Sequence, residues 1–161
     1  MPATAVKSKW VNGYLVFYGK DGAPFAHFGS GAAVIPCTKR LRVITATINT
    51  GSELLPALAG FCYRMIDMAM IAYGGAAATC TTVDILGTQS AGSVKLMAGA
   101  QATMAQSVVV HAGETGGAVL ADGASFVACD VNTAITVGST TNNLATATGV
   151  DFIVTFVLDA G

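Results

Sequence analysis

An all-β fold is predicted: an antiparallel two-sheet sandwich, with a jelly roll as its leading topology and an N-terminal β-hairpin arm. Three observations lead there. Turn-forming clusters of Gly, Asn, Asp and Thr recur every 8 to 12 residues or so, as in antiparallel sandwiches. Between them lie about nine or ten short runs rich in β-branched and aromatic residues. The chain shows no strand-helix alternation that would build a parallel sheet, and no exact repeat that would signal a propeller or solenoid.

The arm is assigned to residues 1–30 and the sandwich body to residues 31–161. The run Tyr14-Leu15-Val16-Phe17-Tyr18 is apolar at every position, so a strand there offers apolar side chains to both faces. Asn12-Gly13 is a tight-turn signal, and Gly19-Lys20-Asp21-Gly22 separates residues 14–18 from a second β-prone run, residues 25–28. Half of the twelve aromatic residues fall between Trp10 and Phe28. An isolated hairpin is marginal in water, so this one must lie on its own body or on another molecule. Gly29 to Ala33 reads as a flexible joint.

Residues 43–49 alternate, with Ile44, Ala46 and Ile48 on one face, and predict a half-buried strand. A helical turn broken by Pro56 is expected over residues 52–59. Residues 61–73 predict the longest strand, central and covered on both faces, with Cys62, Arg64, Ile66, Met68 and Met70 on one side and Tyr63, Met65, Asp67, Ala69 and Ile71 on the other. Opposite faces keep Arg64 and Asp67 from pairing. Strands are expected at residues 81–86 and 93–97 around a polar loop, residues 87–92. Residues 98–105 are compatible with a short helix or irregular chain. Further strands are expected at residues 108–111, 118–120, 125–129 and 134–137, before a Thr/Asn-rich loop, residues 138–149. Residues 150–158 close the chain with the clearest alternation, Val150, Phe152, Val154, Phe156 and Leu158 lining one face.

At 161 residues the chain can bury one sizeable core. Only 11% of residues are charged, against about 25% in ordinary soluble domains, so the surface is poor in charge. Mean hydropathy is +0.61, yet Arg64 and Asp67 interrupt the most apolar stretch and no run approaches the roughly 18 residues of a membrane-spanning helix. Lys7 and Lys9 precede no apolar signal core. The expectation is a chain made in the cytoplasm, not exported, with no membrane partner.

Charge is unevenly spread. Lys7, Lys9, Lys20, Lys39, Arg40 and Arg42 face one acid, Asp21, in residues 1–42, whereas residues 43–161 carry two bases and eight acids. Such polarity can steer contact between copies or with an acidic partner. The cluster Lys39-Arg40-Leu41-Arg42 is too short for a nucleic-acid patch, so no direct nucleic-acid contact is expected. Candidate partner-interface residues are therefore the aromatics Trp10, Tyr14, Phe17, Tyr18 and Phe25, types enriched at binding hot spots, with the cations Lys7, Lys9, Lys39, Arg40 and Arg42.

No catalytic, metal or cofactor site is expected. Cys37, Cys62, Cys80 and Cys129 lack C-x-x-C or Cys/His ligand spacing and read as buried free thiols. His27 and His111 stand outside any metal motif, and no nucleophile elbow, dinucleotide fingerprint or phosphate loop occurs. Asp84, Asp122, Asp130 and Asp151 could converge as an acid pair or calcium site, but acids in loops are more often turn formers.

The segments SKWVNGYLVFYGKDG (residues 8–22), YRMIDMAMIAYGGAAATCTTVDILGTQSAGSVKLM (63–97), LADGASFVACDVNTAITVG (120–138) and VDFIVTFV (150–157) cover about half the chain. Through them it resembles tailed-bacteriophage virion proteins of the capsid decoration, or cement, type. The resemblance implies a non-enzymatic structural protein on the capsid surface of the virion, homo-oligomeric as a dimer or trimer, with the major capsid protein as partner. It transfers no residue role. The alternative is a receptor- or glycan-binding head of a phage tail or fibre, presenting the polar loop 138–149.

Overall fold

The computed structural model describes residues 7–11, 14–18, 24–28 and 36–160, with side chains for residues 36–159. The chain divides into two compact units, Met1–Pro36 and Cys37–Gly161.

The first unit is a three-stranded antiparallel sheet, β1 (Lys7–Val11), β2 (Tyr14–Tyr18) and β3 (Pro24–Phe28), in that order. The expected hairpin pairs as β2 with β3, Leu15 opposite Phe28 and Phe17 opposite Ala26. A third strand precedes it, Val11 opposite Tyr14 and Lys7 opposite Tyr18. The turn residues Asn12-Gly13 and 19–22, and the glycine joint 29–33, lie outside the described residues.

The second unit is an antiparallel sandwich. One sheet holds β4 (Cys37–Ile44), β12 (Gly149–Ala160), β6 (Phe61–Tyr73) and β9 (Val109–His111). The other runs β10 (Gly117–Ala118), β8 (Gly92–Ala100), β7 (Thr82–Gln89), β11 (Ile135–Thr140) and β5 (Glu53–Leu55). Between them lies one apolar core: Met68, Met70, Val150, Phe152 and Val154 from the first sheet meet Val83, Ile85, Met97, Ile135 and Val137 from the second. Removing the Phe152 side chain from water contributes about 1.5–3 kcal/mol. The alternation read in residues 150–158 holds: Val150, Phe152, Val154 and Phe156 are buried in that core, and Leu158 packs against it.

Five local expectations are corrected. Residues 43–49 are not one strand: β4 ends at Ile44, and Thr45–Thr50 form a short helix, α1, that buries Ile48. The β-branched residues weigh only tenths of a kcal/mol against helix, and tertiary contacts outweigh them. The Asn49 amide donates to the Leu144 carbonyl at 3.0 Å and its oxygen accepts from the Leu144 N–H at 2.7 Å, and Gly51 ends the helix at φ 74°. Residues 52–59 contain the short strand β5 in place of a helical turn. Residues 87–92 are a hairpin tip: β7 and β8 run on to the pair Gln89 and Gly92. The turn residues Ser90 and Ala91 both have positive φ, 51° and 60°, the hand that matches strand twist. Neither is glycine; both N–H groups donate to the Asp130 carboxylate, at 3.0 and 2.7 Å. Residues 125–129 are not a strand; the 3₁₀ turns of Ala121–Phe126 lead into a segment that laces the sheets, Cys129 N–H donating to the Tyr63 carbonyl and Asp130 N–H to the Thr88 carbonyl.

The fifth correction concerns β6, which lies between β12 and β9. Its pairing with β12 skips Ile66, matching Thr155 with Asp67 and Phe156 with Met65. That bulge reverses the alternation. Tyr63 and Met65 point into the core before it, and Met68, Met70 and Ala72 after it, while Ile66 stands 45% exposed. The expected faces, each running unbroken from end to end, are therefore split and exchanged at the bulge. The outer face is not fully covered: Cys62 and Ala69 are buried, but Arg64, Ile71 and Tyr73 are half-buried.

Candidate partner interface

Two of the three charged residues of β4, Arg40 and Arg42, come together with β12 on the outside of the four-stranded sheet. Arg42 lies opposite Asp151, and Arg40 opposite Ile153. With side chains alternating across a strand, Thr38, Arg40, Arg42 and Ile44 share the outer face, while Lys39 falls on the other face with Leu41 and Val43. Asp151 is 1% exposed. It accepts a fork of two bonds from Arg42, Nε to Oδ1 at 2.8 Å and Nη2 to Oδ2 at 3.0 Å, and a third from Arg40. The two guanidinium side chains are 59% and 61% exposed. They form the cover over the carboxylate.

Arg42 also lies over the Tyr73 ring, 4.2 Å from its centroid. Gly149, opposite Tyr73 on β12, makes room: a Cβ there would come within 2.6 Å of the Tyr73 hydroxyl and 2.2 Å of the Val43 carbonyl. The bond from Arg42 is the chief reason the Asp151 carboxyl is held down, to about 2, with Arg40 adding to it against the opposing effect of burial. Asp151 also raises the Arg42 guanidinium further above its already high value. The result is a fixed ionic bracket with one cation in excess.

Elsewhere charges find separate partners. Arg64 donates to Asp159 at 2.7 and 3.2 Å, not to Asp67, whose carboxylate accepts from the Met68 N–H at 2.9 Å. Asp84, buried on β7, accepts from Thr140 and lies 2.9 Å from Lys95 Nζ, while its Oδ1 has no hydrogen-bond partner. Asp130 holds the hairpin turn, and Asp122 sits in a 3₁₀ kink at φ 54°. Among the described residues no three His, Cys, Asp or Glu side chains are grouped to hold a metal, and no helix is long and apolar enough to cross a membrane. Three cysteines are buried free thiols, Cys62, Cys80 and Cys129, each thiol pushed up chiefly by burial. Cys37 departs from expectation: it is exposed, because it begins an edge strand. His111 is half-buried on β9 opposite Ala69.

Of the sequence-predicted interface, Lys39, Arg40 and Arg42 are thus brought to one strand but to two faces. Lys7, Lys9, Trp10, Tyr14, Phe17, Tyr18 and Phe25 fall on β1, β2 and β3, with side chains outside the described residues; His27 is likewise on β3. Sequence reading missed Tyr73 and the pairing role of Asp151. The signal for Asp151 was present: it is an acid at a position out of phase with the apolar face of β12. No family model, curated protein or solved structure matches this chain.

Proposed function

We propose that this protein is a non-enzymatic virion structural protein, a decoration protein that binds the outside of a capsid and reinforces contacts between its subunits. The observation that carries the reading is the division into a sandwich with its own core and a first unit, Met1–Pro36, made of three five-residue strands. A unit below about 40 residues seldom stabilises itself without a staple or a partner. Its middle strand β2 is apolar at every position, Tyr14 to Tyr18, so both faces of that sheet call for cover. An element of this kind is suited to gripping a neighbouring surface.

Its net basic charge, Lys7, Lys9 and Lys20 against Asp21, favours an acidic one. A protein that binds an assembled shell but not dissociated subunits stabilises the shell by mass action, and many weak copies add up. Homo-oligomerisation, as dimer or trimer, would multiply the contacts of each molecule.

The test is co-sedimentation with capsids of the virus that encodes the chain, using the intact protein and one lacking residues 1–36, together with electron microscopy of whole particles. The intact protein is expected on the shell, and the shortened one is expected to stay folded by circular dichroism but remain in the supernatant. Unchanged capsid binding by the shortened protein would remove the first unit from the account. Density at the tail tip would replace the decoration role with receptor binding.

A further inference from the structure

The body's sheets present four edges, and three are short: β9 and β5 have three residues and β10 two. Short edges are how natural sheets avoid unwanted pairing. The fourth, β4, is eight residues long. One side of it pairs with β12 from Cys37 to Ile44, and among the described residues no strand pairs with the other. In an antiparallel ladder alternate N–H and C=O groups point away from the neighbour, so β4 offers a row of donors and acceptors.

Its side chains restrict what can be added. Lys39, Arg40 and Arg42 carry charge, no acid lies on the strand, and Asp151 offsets only one of the three. A second copy adding through its own β4 would set cations against cations, which is destabilising for residues directly opposite. The first unit is also net basic. On the inner side Leu41 and Val43 are half-buried against the core, so apolar side chains placed beside them would extend it. On the outer side Arg40 and Arg42 stand more than half exposed, with guanidinium donors left over.

We infer that β4 is a docking edge for an extended, acidic segment of another protein, which adds as a further antiparallel or parallel strand of the four-stranded sheet. Apolar residues of that segment lie on the Leu41 and Val43 side, and carboxylates alternate with them on the Arg40 and Arg42 side. Main-chain bonds supply affinity and the alternation supplies selectivity, as in strand addition generally. The inference stands independently of any role in a virion, since it depends on the edge and its charges alone.

The experiment uses the intact protein, labelled with ¹⁵N, and two probes of about ten residues, one alternating valine with glutamate and one alternating valine with lysine. The glutamate peptide is expected to shift and protect alternate amides of β4, and to bind about tenfold more tightly than the lysine peptide at low salt. Raising ionic strength to ~1 M, where the screening length falls to about 3 Å, should erase most of that preference. Arg40→Gln, which leaves the Arg42 fork on Asp151 in place, should weaken glutamate-peptide binding about fivefold, whereas Lys39→Glu, on the Leu41 and Val43 side, should change it much less. No shift, shifts confined to residues away from β4, or equal binding of both peptides would overturn the inference. So would sedimentation of the free protein as a dimer with the outward amides of β4 protected from hydrogen exchange, because that would assign the edge to a second copy.

Discussion

Replacing Asp151 with Asn keeps the shape of the side chain and one acceptor oxygen but removes the charge under Arg40 and Arg42. The carboxyl is lowered from 3.8 to about 2 in the folded protein. At about 1.36 kcal/mol per unit, that displacement corresponds to about 2.4 kcal/mol of folding stability. Both guanidinium groups are largely in water, 59% and 61% exposed, so solvent screening reduces the expected loss to about 1–2 kcal/mol. Because the folded value lies below the unfolded one, this contribution is complete above about pH 4–5. It fades as the carboxyl becomes protonated, first in the unfolded chain near 3.8 and then in the folded protein near 2. Urea titrations of wild type and Asp151→Asn, followed by far-ultraviolet circular dichroism, should show a deficit of about 1–2 kcal/mol at pH 7 that shrinks below pH 4 and is nearly gone at pH 2. A deficit of the same size at pH 7 and pH 2 would mean that the loss comes from packing, and the ionic account of the bracket would be wrong. No deficit at pH 7 in low salt would show the exposed cations to be too well hydrated to contribute.

Two other features lend themselves to direct measurement. Ala91→Gly relieves a positive φ at the β7–β8 turn and should stabilise the protein by about 0.4–1 kcal/mol, despite the extra freedom glycine brings to the unfolded chain; Asp130→Ala, which strips the acceptor from two turn amides, should destabilise it by about 1–3 kcal/mol, and urea midpoints will read both. A thiol reagent at pH 8 should modify Cys37 rapidly in the native protein and reach Cys62, Cys80 and Cys129 only as the body unfolds, since burial both shields these thiols and disfavours their thiolates; mass spectrometry of the labelled peptides gives the order, and early labelling of Cys129 would show the lacing segment to be open.

The sequence alone determined those features that depend on strand alternation and local turn chemistry. The run from Val150 to Leu158 needs only the period of two to place Phe152 and Val154 inside, and the pairing of residues 14–18 with 25–28 is written in the turn residues between two β-prone runs. The spacing of turn clusters between short β-prone runs, without strand-helix alternation, was enough to predict an all-β sandwich. The failures occur where distant groups intervene. The faces of β6 exchange at Ile66 because β12 fails to match one residue there, and no local pattern announces a mismatch with a strand some ninety residues away. Helix α1 exists because Asn49 and Ile48 find partners across the fold, although their neighbours favour strand. The tip at Ser90 and Ala91 looks like loose polar loop until Asp130 is brought beside it. The basic cluster of residues 39–42 was legible as charge. Only the tertiary structure decided that Arg40 and Arg42 share one buried acid, that Lys39 faces the other way, and that their strand ends a sheet. Alternation is a property of one chain segment, but register, bulges and edges are relations between segments, and these depend on the whole fold.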